Sequence, residues 1–235
     1  MLGSPSPTPY DLRFRALGIP VRVHPFFWLI TAFLRESTDL RDILLFVLCA
    51  FISILVHEYG HGLTARAFGY SASITLYGMG GLCYSEAERQ TPWQRVTVLA
   101  AGPGIQLLLA AGLFYGWRAL GMPELGPIGG RIWWDLIIIS LFWAIFNLLP
   151  IWPMDGGQLT LVILSMFSRR SGARWAHIIS MLLAALLAVL AATRLRDMFY
   201  TIFFGFFAFM NFMQLQNIHE ASRYGLDDDA DWWRR

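Results

Sequence analysis

The chain has 235 residues, 56% of them apolar and 14% charged, with a formal net charge of +2. Soluble domains carry about 25% charged residues, so this composition excludes an ordinary soluble protein and points to an integral membrane protein. Near-neutral charge gives no reason to expect a nucleic-acid or nucleotide partner, and two cysteines, Cys49 and Cys83, cannot build a disulfide framework.

In chain order, the opening "MLGSPSPTPYDLRFR" has prolines at 5, 7 and 9 and lacks the apolar core of a signal peptide. It predicts a flexible tail over residues 1–23. Apolar segments long enough, or nearly so, to cross a bilayer follow. They cover 24–34 (the short one), 43–68, 96–117, 132–150, 177–192 and 198–213, and the fourth runs on into a broken apolar stretch at 151–167. The expected fold is an all-α polytopic membrane protein of about six transmembrane helices over residues 24–217, with its core at 43–167. Residues 218–235 read as an acidic solvated tail in which Trp232 and Trp233 suit the membrane interface.

Between the second and third segments, Ile74, Leu76, Leu82 and Tyr84 flank the glycines Gly78, Gly80 and Gly81. This pattern predicts a small β-hairpin. Open strand edges cannot face lipid, so the hairpin belongs at the interface or re-enters a protein-lined cavity. All 18 basic residues are arginine. Six crossings place twelve of them, among them Arg13, Arg15, Arg22 and Arg66, on the side of both termini, against six opposite. The positive-inside rule then predicts cytoplasmic termini.

The second segment carries His57-Glu58-Tyr59-Gly60-His61, the pattern HExxH. Residues four apart on a helix share a face, so the two imidazoles can meet one Zn²⁺ while Glu58 reaches a water as general base. Five His and six Glu in the chain give this pattern a chance expectation of about 0.003. A buried charge at mid-bilayer costs about 2.5–3.5 kcal/mol, which a metal offsets and two packed histidines do not. Catalytic zinc usually has three protein ligands. The best candidate for the third is Asp155, in "NLLPIWPMDGGQL", where Pro150, Pro153, Gly156 and Gly157 break the apolar run. The competing reading is a helix-capping aspartate. Asp135, beside Trp133 and Trp134, is expected at the interface, as are His24, His177 and His219 at segment edges.

HExxH in one membrane segment, followed by Asn147, Pro150, Asp155 and Gly156 in the pattern N-x-x-P-x-x-x-x-D-G, resembles the site-2 protease family of intramembrane zinc metalloproteases, peptidase family M50. The stretches "GIPVRVHPFFWLI" (18–30) and "AAGPG" (100–104) are similar to that family as well. The chain looks like a minimal form, without the PDZ or CBS domains of some members. It departs in having Gln106 after the Gly-Pro of the third segment, where members often carry Asn.

The resemblance implies an intramembrane endopeptidase with one Zn²⁺ per chain held by His57, His61 and Asp155, and zinc-activated water as nucleophile with Glu58 as its base. Asn147 would either stabilise the oxyanion or satisfy carbonyls freed by Pro150. The hairpin, through Gly78, Gly80, Gly81 and Leu82, would clamp an unwound substrate by strand addition, or serve as a plain connecting turn. Segments two to four would form the catalytic core, and one, five and six would control lateral access. The expected partners are the lipid bilayer and transmembrane protein substrates, and the expected location is a bacterial or archaeal cell membrane. The alternative is a zinc-binding membrane scaffold without proteolytic activity.

Overall fold

The computed structural model of the protein describes residues 5–78, 80–168 and 171–223. The chain divides into two compact units, one made of residues 1–86 and 101–146, the other of 87–100 and 147–235. The ends of the chain, and with them most of the expected acidic tail and both of its tryptophans, lie outside the described residues.

The first unit begins with two strands, β1 (Leu12–Ala16) and β2 (Ile19–Val23). The two-residue turn between them, Leu17-Gly18, has φ of +50° and +76°, the left-handed pair that a tight hairpin requires. Strand β2 runs parallel to β3 (Ser73–Tyr77), which pairs antiparallel with β4 (Gly80–Tyr84). The order among the described residues is β1-β2-β3-β4. The hairpin expected at 74–84 is therefore present, and it extends a sheet begun by residues 12–23.

That sheet corrects the expectation of a flexible tail to residue 23. Ile19, Val21 and Val23 alternate with exposed or half-buried neighbours and pack with Ile74, Leu76, Phe27 and Ile54 into one apolar cluster. A period of two on one buried face is what a strand needs. Asp11 anchors the approach. It accepts from the Thr8 hydroxyl at 2.7 Å and from Arg22 at 3.3 Å. The Thr8 bonds, with help from Arg22, hold its carboxyl down at about 2.

Helix α1 (Pro25–Phe33) starts with His24 as N-cap, whose ring accepts from the Phe26 amide. His24 is thus buried in a capping role instead of wet at an edge. Nine residues make about 13 Å of helix, far short of a bilayer core of about 30 Å. The first of the six expected crossings is therefore not a spanning helix. Among the described residues five helices are long and apolar enough to span. They are α2 (Leu40–Ala67), α3 (Pro92–Ala119), α4 (Gly126–Asn147), α6 (Gly172–Leu190, extended by a π-helical turn to Leu195) and α7 (Met198–Arg223).

Residues 218–223, assigned above to the tail, close α7. At the start of α2 and α4, Arg131 bonds both Asp42 and Asp135, and Arg35 bonds Asp42 at 2.8 Å. Asp135 is consequently a buried member of a neutral quartet of charges.

In the second unit the short helix α5 (Asp155–Phe167) follows the proline-broken loop. Gly156 and Gly157 let α5 lie directly on that loop: a Cβ on either would run into backbone atoms of residues 148–152. Helices α6 and α7 hold the same loop by its polar groups. Ser180 accepts from the Trp152 amide at 3.1 Å and donates to the Pro150 carbonyl at 3.0 Å. Asn211 donates to the Trp152 carbonyl at 2.9 Å, and its Oδ1 lies 2.8 Å from His177 Nδ1.

His177 is therefore buried in a helix pair and not at a wet edge, which corrects its expected placement. A broken loop exposes peptide groups that lipid cannot satisfy, and these side chains satisfy them. Asn211→Ala strips partners from His177 and Trp152, and it is expected to lower stability by about 1–3 kcal/mol. Thermal unfolding in detergent measures the loss.

Candidate metal centre

Helix α2 delivers His57, Glu58 and His61 at 2%, 4% and 6% exposure. The Nε2 atoms of His57 and His61 point at one another, 3.0 Å apart, with the rings nearly perpendicular. Two Zn–N bonds of about 2.0–2.1 Å in tetrahedral geometry separate the nitrogens by about 3.3 Å. The observed pair needs only a few tenths of an ångström to accept one ion, so these two residues fit a shared metal.

The opposite edge of the His57 ring is tied down. Its Nδ1 lies 2.8 Å from Gln106 Oε1, and the Gln106 amide nitrogen donates to the Ser53 carbonyl at 3.1 Å and the Ser53 hydroxyl at 2.9 Å. Ser53 Oγ is in turn 2.9 Å from Ser140 Oγ on α4. Gln106, a departure from the family pattern with no role legible in the sequence, is thus wholly buried against a candidate ligand. Sequence reasoning missed Ser53 and Ser140. A signal for Ser53 was present, since residues 53, 57 and 61 recur every four positions on one helix face.

Small residues make the close approaches possible. A Cβ on Gly102, in the "AAGPG" of α3, would enter the His61 imidazole, and one on Gly60 would meet the Ala101 carbonyl at 2.5 Å. In β4, a Cβ on Gly81 would enter the Glu58 carboxylate. The hairpin backbone is therefore laid directly against the candidate base. A Cβ on Gly80 would sit 3.5 Å from Trp143 of α4. Gly78, at φ +56°, makes the turn, and Leu82 is half exposed. Of the four hairpin residues singled out, Gly81 alone is placed against the catalytic motif by these contacts.

Asp155 and Asn147 belong to the second unit. Asp155 is the first residue of α5 and is buried, while the N-cap position is held by Met154. The helix-capping reading of Asp155 therefore does not describe its place, although a carboxylate in a first turn is favoured by the helix dipole. Asn147 ends α4 at the start of the broken loop.

The family model described as Peptidase family M50 matches residues 45–122 and 128–191. A putative zinc metalloprotease of Synechocystis is 37% identical over 60% of this chain and 40% of its own length. Stage IV sporulation protein FB of Bacillus subtilis is 29% identical over 63% of this chain and 49% of its own length. The chain thus spans two fifths to one half of these curated relatives. The solved site-2 protease from Methanocaldococcus jannaschii superposes with a TM-score of 0.61 at 23% identity, covering 88% of this chain and 95% of that one. At that identity the likeness speaks for the fold.

Proposed function

The chain belongs to peptidase family M50, and on that premise we propose that it is an intramembrane zinc endopeptidase cutting peptide bonds within or near the transmembrane segments of other proteins. The observation that carries this reading is the convergence of the His57 and His61 nitrogens at 3.0 Å, with Glu58 between them in sequence, on a helix of membrane-spanning length. A scaffold without catalysis has no use for a buried carboxylate at that position. Burying it costs stability, so the proteolytic reading is the stronger of the two.

In this proposal His57, His61 and Asp155 hold one zinc per chain, a donor set of the kind that zinc takes. When bound, zinc supplies Lewis acidity to water and to a peptide carbonyl. Glu58 accepts the proton of the attacking water and returns it to the leaving amine. The Asn147 amide donates to the oxyanion. Its other expected role is to answer the carbonyls freed by Pro150, which lacks the N–H that would have bonded the turn before it.

An unwound substrate presents backbone groups that need partners. Strand β4 lies at the outside of the sheet, so Gly80, Gly81 and Leu82 offer it strand pairing, with Gly78 shaping the turn. The hairpin would then enter the membrane from the side to which α2 descends.

The proposed topology keeps both termini in the cytoplasm of a bacterial or archaeal cell even with five spanning helices. Arg66 at the end of α2 donates to the Leu17 carbonyl at 2.5 Å, so β1 and β2 lie at that end of α2. Helix α1 and a linker of six residues, 34–39, then return the chain to the start of α2. Together they reach about 30 Å. The arginine excess therefore stays with the termini, which supports the cytoplasmic assignment.

The test is cleavage of a single-span substrate in detergent by the purified chain, abolished by a zinc chelator and restored by zinc. Asp155→Ala is expected to lose stoichiometric zinc and cleavage together. Retention of full zinc content removes Asp155 from the ligand set, and a metal-free, inactive parent chain overturns the whole reading.

A further inference from the structure

We infer that Gln106 is a positioning residue that sets the tautomer and the ring plane of His57, so that Nε2 presents a lone pair to the metal. The inference rests on the zinc reading above for its purpose, and on hydrogen-bond geometry for its content. The Ser53 carbonyl oxygen can only accept. The edge of the Gln106 amide that faces it at 3.1 Å is therefore the NH₂ edge, and the same nitrogen donates to the Ser53 hydroxyl at 2.9 Å. With both protons so engaged, the edge facing His57 at 2.8 Å is the carbonyl oxygen. An oxygen that can only accept requires a donor opposite, so His57 Nδ1 carries the proton. In a neutral imidazole the other nitrogen is then bare, and that nitrogen is the one 3.0 Å from His61 Nε2.

The lock reaches across three helices. Ser53 and His57 lie on α2, Gln106 on α3, and Ser140 on α4 touches Ser53. A backbone carbonyl, which no tautomer or rotamer can change, is the fixed point from which every assignment follows. One methylene fewer, as in Asn, would shorten the side chain at 106 and leave one of its two partners out of reach. The length of Gln is thus what allows a single side chain to span from the Ser53 backbone to the His57 ring. Partners of this kind typically contribute tenfold to hundredfold to metal affinity.

The experiment compares the parent with Gln106→Leu and Gln106→Glu in two measurements. Zinc affinity is read by competition with a chelator of known strength. The His57 tautomer is read by nitrogen NMR of histidine-labelled, metal-free protein, with His57→Gln identifying the resonance. Gln106→Leu removes the acceptor, and it is expected to weaken zinc about tenfold to hundredfold and to erase the preference for protonated Nδ1. Gln106→Glu keeps an acceptor facing His57 and, as the neutral acid, gives its one O–H to the Ser53 carbonyl, so it is expected to hold the tautomer and to stay within about threefold of parental zinc affinity.

Parental affinity with an unchanged tautomer in Gln106→Leu overturns the inference, as does an equal loss of zinc in both variants. Should Gln106→Leu fail to fold, Gln106→Glu decides alone, by keeping or losing the protonated Nδ1. A chain that binds no zinc at all defeats the proposed function, while the tautomer measurement still tests Gln106.

Discussion

Glu58→Gln is expected to keep its zinc and lose cleavage by a factor of about 10²–10⁴, the usual contribution of a general base. Gln matches the shape of Glu, so the packing around a residue that is buried against the hairpin at Gly81 has no reason to change. The substitution removes the capacity to take up a proton, together with the negative charge that confers it. His57 and His61 are untouched, and elemental analysis of the purified variant should return the parental metal content. Cleavage of a single-span substrate measures the loss. Full activity in the variant would refute the assignment of the base, whereas loss of zinc alongside activity would mean that Glu58 also shapes the ligand pair.

The second large effect is expected from a single methyl group. Gly102→Ala builds a Cβ into the His61 imidazole, and no rotamer change of alanine relieves that. Either His61 swings away from His57 or α3 moves back from α2. The first separates the two nitrogens now 3.0 Å apart, and the second draws Gln106 of α3 away from the His57 ring. Zinc affinity should fall by up to about hundredfold, with cleavage falling in step.

Gly81→Ala provides the contrast. The atoms nearest to its methyl group all belong to the Glu58 carboxylate arm and none to an imidazole, so zinc should remain while cleavage drops about 10²-fold or more. The same two assays read both variants. Parental zinc affinity in Gly102→Ala would show that the helices accommodate the methyl group, and the close approach of α3 would then carry no functional weight.

Much of the site was legible because its chemistry is local. The HExxH pattern needs one helix and a spacing of four, and both are properties of a short stretch of chain. The Gly-rich hairpin at 74–84 was legible for the same reason, since its turn residues and alternating apolar positions are neighbours. The proline-broken loop before Asp155 announced itself as backbone that cannot continue a helix.

Residues 12–23 were harder. Their alternation was present, but the prolines that precede them suggested a loose tail, and a strand is stabilised by partners. The partner is β3, and its Ile74 pairs with Val21 from a position 53 residues further along. The short apolar segment at 24–34 had the composition of a crossing. Its nine helical residues and its capping histidine make it a connector instead.

The sequence alone therefore determined the HExxH pattern, the helix face that presents the two imidazoles, and the membrane as solvent, because each of these follows from residue type and spacing along the chain. Tertiary structure decided the rest. Gln106 meets a histidine 49 positions away, Ser53 meets a serine 87 positions away, and β4 comes to rest on Glu58. Hydrogen-bond direction, tautomer and steric clearance exist only between atoms already brought within a few ångströms, and spacing along a chain carries no such distances.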